Sequence, residues 1–321
     1  LAVVIIAGVL FPEGGMSLRK SGVALPLLTA ASLFISGLVL ETAGLREGAD
    51  TRGLLLGLSS IYVAAPFFAW ILVRLFGPPN GGPGSEGYFF FEAMMIVAAQ
   101  AGTIASAPAL TLVAGGNQGL ALLITISSNL LTAFVTPLVL RLTVGTVVSF
   151  PIGRMIMQDV MVVLVPVVLG LVAHSLVWGR IRHLMPVLVR VSQTIILVFV
   201  FTGVSAAASH LAVRPGLLAT FVMTAAFLHL LLLAWNYEGA QRLRLSPASR
   251  TAVVICGSQK TLPNGIYLWD KFFPSNPHGA LALVCFHVFQ LVFDSLLVSR
   301  LKSEPARVAA AEAPQELIDG A

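Results

Sequence analysis

The chain has 321 residues, 57% of them hydrophobic and 10% charged, with a mean hydropathy of +0.92. A soluble domain carries about 25% charged residues, so no soluble fold offers this sequence enough interior, and apolar runs recur along its whole length, which excludes a secreted protein with a signal peptide. The net charge of +5 resides mostly in short loops between those runs, the pattern of a topology signal; no nucleic-acid partner is expected.

Crossing a hydrocarbon core of about 30 Å takes ~20 apolar residues. Apolar runs bounded by Gly, Pro and charge predict spans near 1–12, 21–42, 53–76, 88–113, 119–142, 155–178, 184–210, 215–236, 250–270 and 279–299. The expected fold is therefore all-α, a polytopic membrane protein of about ten transmembrane helices. The run from Leu1 to Phe11 is too short to span, so the first helix reads as truncated. Gly77 to Gly87, GPPNGGPGSEG, reads as a solvent loop between spans three and four. Residues 302–321 turn polar and alanine-rich, the composition of a solvated cytoplasmic tail. Cys256 and Cys285 fall in apolar segments without metal-ligand spacing and read as lipid-depth thiols.

The side holding both termini takes eleven Lys and Arg, Arg46, Arg180 and Arg242 among them, and the other takes seven, including Arg19, Arg74 and Arg214. By the positive-inside rule both termini are cytoplasmic, in a plasma or inner membrane.

An internal repeat divides the chain. Gly102-Thr103-Ile104-Ala105-Ser106-Ala107-Pro108 in span four answers Gly257-Ser258-Gln259-Lys260-Thr261-Leu262-Pro263 in span nine as G-[ST]-x-x-[ST]-x-P, and each is followed by a span ending in arginine. Residues 1–144 then form a first five-span half, 145–301 a second, and 302–321 the tail. An odd number of spans per half inverts the second copy, and inverted repeats with paired discontinuous helices are a transporter architecture with its site at the repeat interface. Proline and glycine free backbone groups that must find partners inside protein. The alternative is that Pro108 and Pro263 merely kink packed helices.

The stretches ASRTAVVICGSQKTLPNGIYL, CFHVFQLVFDS, ASAPALTLVAGGNQG and TAFVTPLVL resemble the bile acid:sodium symporter superfamily, and within it the SBF-like branch. The resemblance implies a panel domain of spans 1, 2, 6 and 7 and a core domain of spans 3–5 and 8–10, with sodium ions bound behind the crossing of helices four and nine. Carried over by position, it marks Ser106, Asn117 and Thr125, and Ser258, Gln259, Lys260 and Thr261 as substrate- or ion-binding. It departs where sodium-coupled members carry an acidic residue about one turn before the glutamine, since this chain has Ile255; further ligand positions fall at Ala107, Pro108 and Ala121.

Lys260 is the most demanding residue, because a lysine near a helix centre costs on the order of 2.5–3.5 kcal/mol on insertion scales. Its ammonium is expected to replace the relatives' cation among the carbonyl ends of half-helices, and it could titrate to couple transport to protons; snorkelling to an interface is the plain alternative. His287, Gln290 and Asp294 form one stripe in span ten. Asp294 could instead lie near the membrane surface. Thr125, Ser127, Ser128 and Asn129 supply hard oxygen donors in span five, and Thr103 lies in the first break. Glu92, Asp159 and His229 read as structural. Neither G-x-S-x-G nor HExxH occurs, which argues against an intramembrane enzyme, and no filter-like sequence suggests a channel. The reading is a symporter-like secondary transporter of an organic anion or similar small solute, coupled to sodium or protons, with a cation/proton antiporter as the nearest alternative. Its partners are the solute and the bilayer, and no cofactor is expected, with a bound sodium ion as the one alternative.

Overall fold

The computed structural model describes residues 1–40, 48, 50–79, 81–104, 106–145, 151–213 and 215–312, with backbone alone for 209–213, 215 and 300–312. Arg46, Ala105, Arg214 and residues 313–321, which the sequence placed in a loop, a break, a loop and the tail, lie outside the described residues.

The described chain is helical throughout. In order come α1 (Ala2–Leu10), α2 (Pro12–Lys20), α3 (Ala24–Leu38), α4 (Thr51–Ser59), α5 (Ala65–Phe76), α6 (Glu86–Ala98), α7 (Ser106–Val113), α8 (Gln118–Thr143), α9 (Ile152–Asp159), α10 (Val165–Ile181), α11 (Met185–Val213), α12 (Pro215–Arg242), α13 (Pro247–Ser258), α14 (Leu262–Phe272) and α15 (Gly279–Glu312). Each apolar segment expected from the sequence falls on helix. By length and composition, five described stretches can cross a membrane: Thr51–Phe76, Gln118–Thr143, Ile152–Ala208, Gly216–Arg242 and Gly279–Ser299; the bent pair α1–α2 makes a sixth. The 57-residue stretch is far longer than one crossing needs, and a single 3₁₀ turn at Arg182–Leu184 divides it.

Pro12 to Lys20 departs from the sequence reading, which ended the first helix at residue 12. The chain bends by 84° and continues as α2, with Pro12 at its first position, where a missing N–H costs nothing. Gly15 lets α2 lie on α11: a Cβ there would stand 2.4 Å from the Ser205 hydroxyl.

Two helices contain a π-helical turn followed by proline. Ser60–Ala64 joins α4 to α5, which carries Pro66, and Val160–Leu164 joins α9 to α10, which carries Pro166. Ala65 N–H bonds Ser60 O, five residues back. Pro66 has no N–H to offer Ile61 O in turn, so that carbonyl is released from the helix ladder.

The predicted breaks are present with shifted limits. Gly257 and Ser258 remain helical, and the second unwound segment is Gln259–Thr261. Gly257 serves close packing instead, since a Cβ would stand 2.7 Å from Asn236 Oδ1. Pro108 and Pro263 do not sit at kinks inside helices but in the first turns of α7 and α14, where prolines are tolerated. The half-helices are deeply enclosed: α6 is buried from Glu92 to Ala98 and α14 from Leu262 to Trp269. A helix apolar on all faces must be surrounded by protein or lipid. The main apolar core gathers α6, α14 and α15 with parts of α5, α8, α11 and α12.

Local chemistry ends the other helices. Asp50, Ser85, Asn117 and Ser246 cap α4, α6, α8 and α13 by accepting the amides of Gly53, Tyr88, Leu120 and Ser249, each cap worth about 1 kcal/mol. In the AGGN turn, Gly115 takes φ +69°, the left-handed conformation that closes a helix.

Candidate functional site

The two unwound segments cross and touch. Thr261 N–H donates to Ala101 O at 2.9 Å, and a Cβ on Gly102 would stand 3.2 Å from Cys256 O. Backbone groups released by unwinding need partners, and each break draws them from the second helix after it. Gly102 N–H reaches Ser128 Oγ at 3.3 Å and Asn129 Nδ2 donates to Gly102 O at 2.8 Å, both from α8. Lys260 N–H reaches Gln290 Oε1 at 2.8 Å and Gln290 Nε2 donates to Lys260 O at 2.9 Å, from α15. The amide of Gln290 thus clamps both sides of the unwound lysine, and it also donates to His287 Nδ1 at 3.0 Å.

The Lys260 side chain is 2% exposed and does not snorkel. Its ammonium donates to three carbonyls: Ile61 O at 2.6 Å, Ala98 O at 2.9 Å and Gln100 O at 3.0 Å. Each has a local reason to be free. Ile61 O is released by the π-turn and Pro66, and Ala98 and Gln100 lie at the C-terminal end of α6, where carbonyls lack helical donors and the helix dipole is negative. Three donors meet three acceptors, so the ammonium is fully satisfied without a carboxylate partner.

A second network runs through Gln259. Its Oε1 accepts from Thr103 Oγ1 at 2.5 Å and Ser106 Oγ at 2.9 Å, while its Nε2 donates to Asp294 Oδ2 at 2.6 Å. Asp294 Oδ1 lies 2.8 Å from His229 Nε2, and both side chains are fully buried. Asp294 thus bonds to the second unwound segment, and His229, read from the sequence as structural, is its partner. Three phenylalanines, Phe286, Phe289 and Phe293, present their rings edge-on to that imidazole.

Of the residues marked in the sequence, Thr103, Ser106, Asn129, Gln259, Lys260, Thr261, His287 and Gln290 converge on the crossing. Three do not bond into it. Asn117 caps α8 and ties the α7–α8 turn to Gly48 O and Ser249 Oγ, at 3.1 and 3.3 Å. Thr125 bonds back to Ala121 O and Leu122 O, and Ser258 to Ile255 O, the usual fate of transmembrane hydroxyls. The sequence reading missed Gln100, which accepts from Asn264 at 3.1 Å, the carbonyls around Lys260, and the Asn236–Ser60–Gly257 chain, at 2.8 and 3.0 Å. Pro66 shortly after a polar Ser59-Ser60 pair was the visible signal for the freed Ile61 carbonyl.

This geometry does not fit a sodium ion at the crossing in the manner of sodium-coupled members. Ile255, Ala107 and Ala121 offer no side-chain oxygen, and an ammonium occupies the three free carbonyls.

A model of the SBF-like CPA transporter family matches residues 1–303. Among curated relatives, the chain is 24% identical over 293 residues to sodium/bile acid cotransporter 7 of Mus musculus, covering 88% of this chain and 85% of that one. It is 28% identical over 260 residues to YfeH of Escherichia coli K12, named as an inferred symporter, covering 78% and 75%. It is 29% identical over 290 residues to BASS4 of Arabidopsis thaliana, named by inference a chloroplastic sodium/metabolite cotransporter, covering 84% of this chain but 64% of that protein.

Proposed function

The chain belongs to the SBF-like CPA transporter family, and from that premise we propose that it is a symporter-like secondary transporter that carries a small organic anion or related solute by alternating access, driven by a sodium or proton gradient. Its family is one of transporters rather than enzymes, and its apolar helices make it a multi-pass membrane protein. The finer reading is ten spans in two inverted halves, 1–144 and 145–301, with a panel domain (spans 1, 2, 6, 7) moving against a core domain (spans 3–5, 8–10). Both termini then face the cytoplasm.

The observation that carries the reading is the pair of unwound segments, bonded to each other and each clamped by the second helix after it, with Lys260 between them. Broken helices buried in protein expose fixed dipoles where a solute or ion can be held. Here a tethered ammonium supplies the positive charge that the carbonyl ends demand, so this cage needs no diffusible cation. The hydroxyls of Thr103 and Ser106, joined to Gln259, are neutral polar groups suited to orienting a solute. The names of the relatives support a sodium-coupled cotransporter of an organic solute.

Purified protein reconstituted in liposomes tests this. Saturable uptake of organic anions that follows an imposed sodium or proton gradient is expected; large ion currents without solute would overturn it in favour of a channel. The buried His229–Asp294 pair favours cation/proton antiport as the second reading. Proton movement on adding sodium, with no organic solute present, would select it.

A further inference from the structure

Asp159 ends α9 just where the chain enters its π-turn. The residue is fully buried, and neither carboxylate oxygen has a hydrogen-bond donor among the described residues. Every other buried carboxylate in the description is partnered: Glu92 accepts from Asn276 at 2.7 Å, and Asp294 has two partners. Burying a bare charge is so unfavourable that an isolated carboxylate is paired, coordinated or neutralised.

Among the described residues no ion pair reaches Asp159. Its helix face carries Met155, Val163 and Val167, all buried and apolar, so the aspartate interrupts a stripe built for packing. Val163 shares an apolar cluster with Ile104 of the first break and with Ile126 and Leu130 of α8. α9 and the π-turn that follows it both pack along α8, which carries Thr132 and Thr136 as buried hydroxyls. Tyr62 and Tyr267 of α14 are within electrostatic reach of Asp159. The hydrogens of Tyr62, Thr132 and Thr136 are committed elsewhere. Tyr62 donates to Ser128 O, and Thr136 donates to Ala99 O at 2.6 Å, which leaves Thr132 to donate to Thr136 at 2.8 Å. The arginines of the two packed helices, Arg154 of α9 and Arg141 of α8, are both exposed.

We propose that Asp159 is a binding site for a small monovalent cation, sodium or a proton, set where α9 packs on α8 and separate from the Lys260 cage. The carboxylate supplies the charge, and the hydroxyl oxygens of α8 are the neutral neighbours. The site communicates with the crossing: the Thr132–Thr136 chain ends on Ala99 O, between the two α6 carbonyls that hold Lys260. Neutralising Asp159 permits the dry packing of α9 on α8, and releasing the cation requires that seam to hydrate and open.

The test reads binding alone, so its failure leaves the transport reading standing. Thermal unfolding of the purified full chain in detergent is followed while sodium chloride replaces choline chloride, and separately from mildly acid to mildly alkaline pH. Wild type is expected to be stabilised by sodium, by acid, or by both, through ligand linkage. Asp159→Asn should melt higher than wild type in sodium-free alkaline buffer and lose the response to that cation, and Asp159→Ser should also lose it; Glu92→Gln should keep it. The proposal is overturned if wild type responds to neither cation, or if both Asp159 variants respond as wild type does. Carbodiimide labelling of wild-type Asp159, read by peptide mass, identifies the cation without a variant: suppression by sodium at fixed pH selects sodium, and dependence on pH alone selects the proton. Labelling indifferent to both counts against the site.

Discussion

Removing the Lys260 ammonium is the sharpest perturbation available. Lys260→Ala strips partners from Ile61 O, Ala98 O and Gln100 O, which are otherwise 2.6–3.0 Å from Nζ. A buried acceptor left unpaired costs about 1–3 kcal/mol. At the low end of that range the three together destabilise the fold by roughly 3 kcal/mol, which at about 2 °C per kcal/mol, the lower bound for chains of 150–250 residues, lowers the melting temperature of this longer chain by roughly 6 °C. The relief of desolvating an ammonium opposes this, which makes that figure an upper one. The vacated space also presents three inward carbonyl oxygens, a hard-donor set suited to sodium. Sodium chloride should therefore restore part of the loss in Lys260→Ala beyond any wild-type response, but not in Lys260→Met, whose thioether fills the volume without inviting an ion. The assay is thermal unfolding in detergent, with choline chloride as the ionic control. A Lys260→Ala variant that melts within a degree or two of wild type without sodium, and gains nothing from it, would refute the cage argument.

Other substitutions test separate links. His229→Phe should leave Asp294 half-paired and cost about 3 kcal/mol or more; combined with Asp294→Asn the losses should be strongly non-additive in a double-mutant cycle read by thermal unfolding. Pro66→Ala returns an N–H able to reach Ile61 O, so it should weaken the hold on Lys260 and lower solute uptake by severalfold while leaving the helix intact by circular dichroism. Asn117→Ala removes the cap of α8 and should cost about 1 kcal/mol without altering the ion dependence of uptake, because its bonds go to the α7–α8 turn and the start of α13. Arg19→Ala removes an ion pair with Asp270 at 2.6 Å whose side chains are each 19% exposed, and its stacking on Trp269. The expected cost is about 1 kcal/mol or less, falling at high salt.

Hydropathy made the helical segments legible because lipid and buried protein both demand apolar side chains. The paired breaks were legible because glycine and proline mark backbone that leaves the ladder. Lys260 stood out for its cost, Gln259 through the resemblance, and Gln290 through its stripe with His287 and Asp294. Its partners were not legible: Ile61, Ala98 and Gln100 contribute main-chain oxygens, and residue identity does not announce a freed carbonyl. The His229–Asp294 pair joins residues 65 apart; Asp294 was visible only as part of the stripe with His287 and Gln290, and His229 stood alone along its own helix. Asp159 looked like a helix-end residue because the π-turn that follows it has no sequence period. Asn117 and Thr125 were assigned to the site from resemblance, whereas local backbone geometry claims their hydrogen bonds. The α2 segment was missed because PEGG suits a turn; only packing on α11 makes its glycines useful.

The π-turn at Ser60–Ala64 also fixes the rotational phase of everything before it. Each α-helical residue turns the chain by about 100°, and the π-turn absorbs one extra residue, so winding all of its residues into the α ladder would swing Thr51–Ser59 around its axis by about that angle. Gly53 and Gly57, which now face Leu120 and Ile124 at distances where a Cβ would stand 2.7 and 2.9 Å from them, would point elsewhere, and bulkier neighbours would be driven into α8. The extra residue is thus a phase shifter: one end of the helix faces α8 with glycines while the other presents a spare carbonyl to the lysine, two alignments that an unbroken helix of this length could not hold at once.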